Sequence, residues 1–377
     1  MRSSPSIESL DFSPKPWLNQ DLTAKDIGGL LDSKEIREYW KYTSMSSLLE
    51  THLNSVNSAK KENQTIIKME GIEGIKVESF LDLSQSKLDV VRNAISKIDK
   101  NRYLLSYLMA MSNPTGRLIT INKNINQIVE ITPSETQEIL IIDIEKGTNV
   151  SIKENTPFRP FANRIIGINI RDEPKLTHAR SSFFNTPTDL SLVNIEVQKD
   201  AEYHLEQYAT GSEKRRSNIH IALTGNRAKT SVIGAYITEE NRHIDQQVVI
   251  DHQEQNTQST QQVNGIGHKK SKSSFLGRIH ISKNAKHSDA TLNNKNLALG
   301  KNATINTKPE LEIYTDDVKC SHGATVGQLD EEQIFYLRSR SLSQSDAKTL
   351  LCNAFIKSCI RGNLTQLATE KFTQCLK

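Results

Sequence analysis

Hydrophobic residues change their spacing twice along the chain. Over residues 21–53, Ile36, Tyr39, Trp40, Leu48 and Leu49 recur near the helical period, with breaks expected at Gly28-Gly29 and Thr43-Ser44. A polar stretch, 54–63, leads into 65–83, which reads as two strands around Gly71 or Gly74. A second helical run, 87–111, carries Leu88, Val91, Ile95, Ile98, Leu104, Leu105 and Leu108, and the turn residues Asn113-Pro114-Thr115-Gly116 end it. From 117 to about 327 helical periodicity fades. Short segments alternate polar and apolar residues instead: 118–121, 138–144, 191–197, 217–223, 231–237, 246–250 and 311–314. That alternation predicts strands buried on one face.

Between these strands a turn signature recurs: Lys or Gly, then Asn or Asp, then often Ala and a β-branched residue. It appears at Lys146-Gly147-Thr148-Asn149-Val150, Lys199-Asp200-Ala201, Gly225-Asn226-Arg227-Ala228, Lys283-Asn284-Ala285 and Lys301-Asn302-Ala303-Thr304, with Ser321-His322-Gly323-Ala324-Thr325 a looser copy. The spacing of Ala201, Ala228, Ala285, Ala303 and Ala324 suggests a loose period of about 20 residues, the mark of a β-solenoid whose coils bury their apolar faces on one another. A β-sandwich would carry more hairpin turns. After 327 the chain reads as helical again. Asp330-Glu331-Glu332-Gln333 opens one helix with carboxylates suited to the helix dipole, and Ile334, Phe335, Leu337 and Leu342 follow. Ser345-Asp346 opens a second helix with Leu350, Leu351, Ala354, Phe355, Ile356 and Ile360. Arg361-Gly362-Asn363 caps it, and a third helix covers 364–372. The expected organisation is a mostly helical region 1–116, a solenoid core 117–327 and a helical subdomain 328–377.

Composition narrows the class. The chain has 377 residues, 36% hydrophobic and 24% charged, with a net charge of +4. It is polar but able to fold. No apolar run approaches the roughly 20 residues of a membrane helix, and the first residues do not resemble a secretory signal, so the expected location is the cytoplasm, away from membranes. The small positive charge gives no ground for nucleic-acid binding, and Lys214-Arg215-Arg216 reads as a solvated turn. All four cysteines, Cys320, Cys352, Cys359 and Cys375, lie near the C-terminus without a C-x-x-C pair, which argues against a disulfide framework or a zinc ribbon.

Candidate chemistry is sparse. No Walker loop is present; Gly265-Ile266-Gly267-His268-Lys269-Lys270 lacks its spacing and reads as a polar loop. Nor does an H-E-x-x-H, G-x-S-x-G or G-x-G-x-x-G motif occur. In Asp316-Asp317-Val318-Lys319-Cys320-Ser321-His322-Gly323, an extended backbone puts Cys320 and His322 on one face. Thiolate and imidazole suit iron or zinc, but two ligands do not make a stable site, and the rest would have to come from elsewhere, such as a second chain. Lys319 and the acidic pair are expected to push the thiol pKa in opposite directions. An ordinary buried cysteine beside a surface histidine is the competing reading. Glu310, Glu312 and Asp316 alternate along a strand, as catalytic carboxylates do on polysaccharide-cleaving β-solenoids, or as a solvated strand face would. Cys352 and Cys359 share a helix face and read as packing residues. Seven glutamines between 246 and 262 suggest an amide ladder or a polar surface.

From Ile305 through Pro309-Glu310-Leu311-Glu312-Ile313-Tyr314 to Cys320-Ser321-His322-Gly323-Ala324-Thr325-Val326-Gly327, the chain closely resembles the SufB/SufD family of iron–sulfur cluster assembly proteins. Asp330-Glu331-Glu332-Gln333-Ile334-Phe335-Tyr336-Leu337-Arg338-Ser339-Arg340 and the upstream Asp289-Ala290 to Asn294-Lys295-Asn296-Leu297 match as well. The resemblance is specific over about 289–360, looser toward the middle, and in the N-terminal third only one of helical style. The form Cys-Ser-His-Gly-Ala-Thr-Val-Gly-Gln-Leu is similar to the SufD branch; the SufB branch carries a His-Glu pair that is absent here. Leu292 departs from the Gln of many members. The resemblance implies a right-handed parallel β-helix flanked by N- and C-terminal helical parts. It implies pairing with a SufB-like paralogue through the β-helix, and leaves open a homodimer when the chain is alone. It also implies docking of a SufC-like ABC ATPase through the C-terminal helices, where Phe335, Leu350 and Phe355 are the candidate contacts. His322, with Cys320, becomes a candidate ligand of a transient iron–sulfur cluster shared with the partner. This chain would bind no nucleotide and catalyse no reaction itself. The alternatives are a secreted β-helix polysaccharide lyase or hydrolase, and the scaffold role of the SufB branch.

Overall fold

The computed structural model describes residues 14–18, 23–58, 66–68, 72–112, 114–133, 136–300 and 302–376. Of the residues named above, Gly71, Asn113 and Lys301 lie outside these, and so do positions 21–22 of the first helical segment. The chain opens with helices α1 (Ala24–Leu31), α2 (Lys34–Tyr39) and α3 (Met45–Ser58), followed by β1 (Ile66–Lys68) and β2 (Ile75–Ser79). Gly28-Gly29 does not break α1. The break falls at Asp32-Ser33, where the Ser33 hydroxyl caps α2 by accepting from the Ile36 N–H. The run 87–111 is likewise two helices, α4 (Gln85–Ser96) and α5 (Leu104–Met111). Between them the Asp99 carboxylate accepts from the N–H groups of Asn101 and Arg102 and folds the chain into a turn.

The rest is a parallel β-helix of about eight turns. One sheet stacks β4 (Ile128–Thr132), β6 (Asn149–Asn155), β8 (Lys175–Ser182), β10 (Glu202–Thr210), β12 (Lys229–Thr238), β14 (Gln258–His268), β16 (Asp289–Leu299) and β18 (Lys319–Gly327). The other stacks β3 (Thr115–Ile121), β5 (Gln137–Ile144), β7 (Phe161–Ile170), β9 (Thr188–Val197), β11 (Lys214–Leu223), β13 (His243–His252), β15 (Lys272–Ile281) and β17 (Thr304–Ile313). Antiparallel β1 on β4 and β2 on β3 close the N-terminal end of each sheet.

Each coil holds one strand of each sheet, which corrects the period. Lys175, Glu202, Lys229, Gln258, Asp289 and Lys319 stand in register, so successive coils are 27, 27, 29, 31 and 30 residues long rather than about 20. The turn signature is real at one corner. Glu173, Asp200, Arg227, Asn256 and His287 all take positive φ there, and the small residue that follows is buried in Ala201, Ala228, Thr257 and Ser288. Ala285 lies in this corner too, two residues before His287, whereas Ala303 sits at the opposite corner and Ala324 within β18, and counting those two with the corner alanines shortened the apparent repeat.

Alternate residues of the strands line the lumen, where Ile142, Ile168, Ile195, Ile221 and Ile250 stack in register as a continuous apolar row. Two further observations correct the sequence reading. Lys214-Arg215-Arg216 is no solvated turn: Arg215 and Arg216 are 2% and 1% exposed in β11. Arg215 shares Asp189 with Arg164, at 3.0 and 2.9 Å, and Arg216 bonds Asp245 at 2.6 Å. Gly265–Lys270 is no loop either: residues 265–268 finish β14, and the small Gly265 leaves space for the buried Tyr236 ring of the preceding coil.

Neither sheet is bare outside. The N-terminal helices cover outward residues Leu118, Ile139, Ile141, Ile165, Leu190 and Leu192 of the second sheet, which is why β5 is buried on both faces. Helices α6 (Glu331–Ser339), α7 (Gln344–Lys357) and α8 (Thr365–Cys375) follow the last coil. Phe372, Cys352, Ile356 and Cys359 pack on Ala179, Tyr208, Ala235, Ile237 and Ile266 of the first sheet. Cys352 and Cys359 are thus packing residues, as read from the sequence, although Cys359 lies just past the end of α7 rather than on its face.

Candidate functional site

The site is built by the way the β-helix stops. Strand β18 pairs with β16 alone and β17 with β15 alone, so among the described residues both sheets end on an unpaired strand at the same end of the coil. Register then fixes the side chains. Cys320 stands over Ala290, and His322 over Leu292. Ala290 and Leu292 are fully buried lumen residues, so Cys320 and His322 continue the lumen row into a coil with nothing stacked beyond it. That leaves Cys320 half-buried and His322 exposed. The extended segment read from the sequence is therefore observed, and it brings the two donors to one face at the open mouth. Ile313, Tyr314 and Val326 add exposed apolar surface at the same end.

The electrostatics differ from expectation. Burial pushes the Cys320 thiol pKa up, and the Asp289 carboxylate in the neighbouring strand adds to it; Lys319 does not offset them. The thiol is therefore held in its protonated form near neutral pH. No group of three or more His, Cys, Asp or Glu side chains is arranged to hold a metal among the described residues. Two donors on one chain do not complete a coordination shell.

Glu310 and Glu312 are ion-paired rather than free. Arg278 bonds Glu312, and Lys308 bonds both Glu310 at 2.7 Å and Glu38 of α2 at 2.9 Å.

The three C-terminal candidates part ways. Phe335 on α6 is 72% exposed and Leu350 on α7 is 49% exposed. Clefts of about 360 and 400 Å³ flank α6, one lined by Asp330, Glu332, Tyr336 and Leu351, the other by Phe335, Arg338 and Leu342. Phe355 instead packs toward the sheet, and its carbonyl accepts from Asn264 Nδ2 at 3.0 Å. Sequence reasoning missed the clasp beneath it. The Tyr208 hydroxyl donates to the Arg361 carbonyl and accepts from the Arg361 N–H, and the buried Glu206 carboxylate accepts from the N–H groups of Asn363 and Leu364. Only the coil register puts residues about 155 positions apart together.

Comparison with known proteins identifies the family. The family model for the SufBD core domain of the SUF system for FeS cluster assembly matches residues 128–355. The Escherichia coli protein described as iron-sulfur cluster assembly protein SufD is 32% identical over 219 residues, covering 57% of this chain and 52% of that protein. An iron-sulfur cluster assembly SufBD family protein of Synechocystis is 30% identical over 241 residues, covering 60% and 53%. The chloroplastic protein ABCI7 of Arabidopsis thaliana is 27% identical over 259 residues, covering 66% and 52%. The chain thus spans about half the length of these curated relatives. With a family model matching well over half of its residues, from β4 to α7, the chain belongs to the SufBD family of iron–sulfur cluster assembly proteins.

Proposed function

We propose that this chain is a SufD-type subunit of a three-component cluster-assembly complex. In this reading it is a non-catalytic, cytoplasmic subunit that lends ligands to a cluster assembled as cargo at a seam with a SufB-like paralogue. The observation that carries the reading is the pair Cys320 and His322 on a lumen row at an unpaired strand end. Edge strands carry free backbone N–H and C=O groups that a second β-helix can complete, and the apolar mouth residues would be buried in the same contact. Each chain alone has too few donors to retain iron. Together the two would hold a cluster, and a small separation of the seam would release it. His322 acts as the accessible imidazole donor. Cys320 assists once iron replaces its thiol proton.

The α6–α7 surface, with Phe335 and Leu350, is the docking face for a SufC-like ABC ATPase, whose motion would open and close the seam. Phe355 contributes by fixing α7 to the β-helix rather than by touching the ATPase. The chain itself binds no nucleotide, and pairing with a second copy of itself at the same end is the expected state when the paralogue is missing. The test is co-purification with a SufB-like and a SufC-like protein. Strand-end variants such as Val326→Asp should lose the paralogue and keep the ATPase, and Phe335→Asp should do the reverse. Loss of both partners from either variant would contradict two separate surfaces.

A further inference from the structure

On the outer face of the second sheet, beside the open mouth, the last strand carries a charged row. β17 sets Lys308, Glu310 and Glu312 in register with Leu276, Arg278 and His280 of β15. It pairs with β15 alone, so among the described residues no strand stands on the far side of this row. Helix α2 reaches the same edge: Lys308 bonds Glu38 of α2 at 2.9 Å and Glu310 at 2.7 Å. Between α2 and the two strands lies a cleft of about 280 Å³, walled by Glu38 and Tyr39 on one side and by Leu276, Arg278 and Glu310 on the other. The charges do not balance one to one. Lys308 is divided between Glu310 and Glu38, which raise its pKa. Arg278 bonds Glu312 and stands 4.0 Å from Glu310. Lys34, the remaining cation on the cleft, acts on Glu38 from the preceding helical turn. Three carboxylates thus share Lys308 and Arg278, and the side chains of Glu310 and Glu312 keep 25% and 37% of their surface exposed.

We propose that this edge receives an arginine from the outer face of the partner's edge strand, its guanidinium between Glu310 and Glu312 and its stem along the cleft wall. The inference rests on the seam proposed above and adds the chemistry that selects the partner. A strand joining β17 brings its own outward side chains beside Lys308, Glu310 and Glu312 whichever way it runs. Glu310 and Glu312 are two residues apart on one strand face, roughly 7 Å along the strand. A guanidinium has five donors in a planar fork and can serve both carboxylates, where an ammonium is a point charge. Tyr39 and Leu276 offer apolar walls to the aliphatic stem. A strand carrying Asp or Glu at that place would meet like charge, so the row also selects against acidic partners. Helix α2, through Glu38 and Tyr39, becomes part of the recognition surface.

The test is the affinity of the purified full-length chain for the SufB-like paralogue at low and at high salt. Glu312→Gln should weaken binding about tenfold and Glu312→Lys at least 100-fold at low salt, with smaller losses at high salt and unfolding temperatures near that of the unmodified chain. Changing one arginine of the paralogue's edge strand to Glu should restore binding to Glu312→Lys. Rescue from a lysine, or from none of those arginines, would overturn the assignment. Affinity unchanged in both Glu312 variants, while Val326→Asp still loses the paralogue, would overturn this contact and leave the seam standing. Absence of binding by the unmodified chain would overturn both. Self-association that falls more than paralogue binding in Glu312→Lys would give the row to a second copy of this chain and overturn the arginine.

Discussion

Gly362 is the position where one methyl group should do the most visible damage. Its φ is +71°, and a Cβ there would stand 1.7 Å from Glu206 Oε1 and 2.3 Å from Glu206 Cδ. Left-handed backbone costs a non-glycine residue about 1–2 kcal/mol. The clash also drives the Glu206 carboxylate off the N–H groups of Asn363 and Leu364, and losing charge-assisted hydrogen bonds costs about 1.5–3 kcal/mol. Gly362→Ala should therefore weaken docking of α7 and α8 by about 3–5 kcal/mol while leaving the lumen stack intact. Amide hydrogen exchange reads this directly: protection should fall across α7 and α8 and stay unchanged in β7, β9 and β11. The double variant with Glu206→Ala decides the mechanism. Because Glu206→Ala already removes the hydrogen bonds and the clash, the double variant should be no worse than Gly362→Ala by more than about 1 kcal/mol, well short of the sum. Additive losses, or lost protection in the lumen strands, would refute the clasp.

Buried charges elsewhere in the β-helix have consequences of similar size. Asp189→Ala leaves Arg164 and Arg215 buried without their shared carboxylate and should destabilise the β-helix by about 3–5 kcal/mol in urea unfolding; Arg164→Ala should cost less, because Arg215 keeps Asp189. Burial pushes His52 and His252 down from 6.5 to about 4 each. Such groups fold neutral and unfold charged, so stability is complete above about pH 6.5 and is lost as pH falls toward 4. The loss is of order 3 kcal/mol per histidine, and a flat stability profile between pH 7 and 4.5 would contradict it. Below that range Glu154 and Asp189 join in: burial raises both, but Arg180 outweighs it at Glu154, and Arg164 and Arg215 do so at Asp189, so both are held below the usual carboxylate range. Leu350→Asp should reduce ATPase capture at least tenfold with unchanged unfolding temperature. Removing residues 330–377 is a poorer probe, since it uncovers Ile237 and Ile266.

The solenoid was legible because its strands alternate at period two and its corners repeat small residues after a left-handed one, as at Ala201 and Ala228. Its true repeat was not, because each coil has two corners of unequal length and alanine occurs at both. Strands β7, β8, β10 and β14 escaped notice for a related reason. With the lumen inside and a helix outside, residues such as Arg164, Arg180 and Asn264 are buried although polar, and they blur the alternation. Cys320 and His322 could be placed on one face from spacing alone. That this face is a lumen row left open at the last coil needed the register with Ala290 and Leu292. The Glu206–Gly362 clasp depends on helix docking onto stacked coils, which no local pattern encodes.

The shared-seam account is tested most directly by iron and sulfide content of the anaerobically purified complex formed with the SufB-like and SufC-like partners, comparing the unmodified chain with His322→Ala. The account expects assembly at equal stoichiometry and loss of most of the bound iron and sulfide in the variant, with Cys320→Ser causing a smaller loss. Equal iron and sulfide in an intact His322→Ala complex would contradict it.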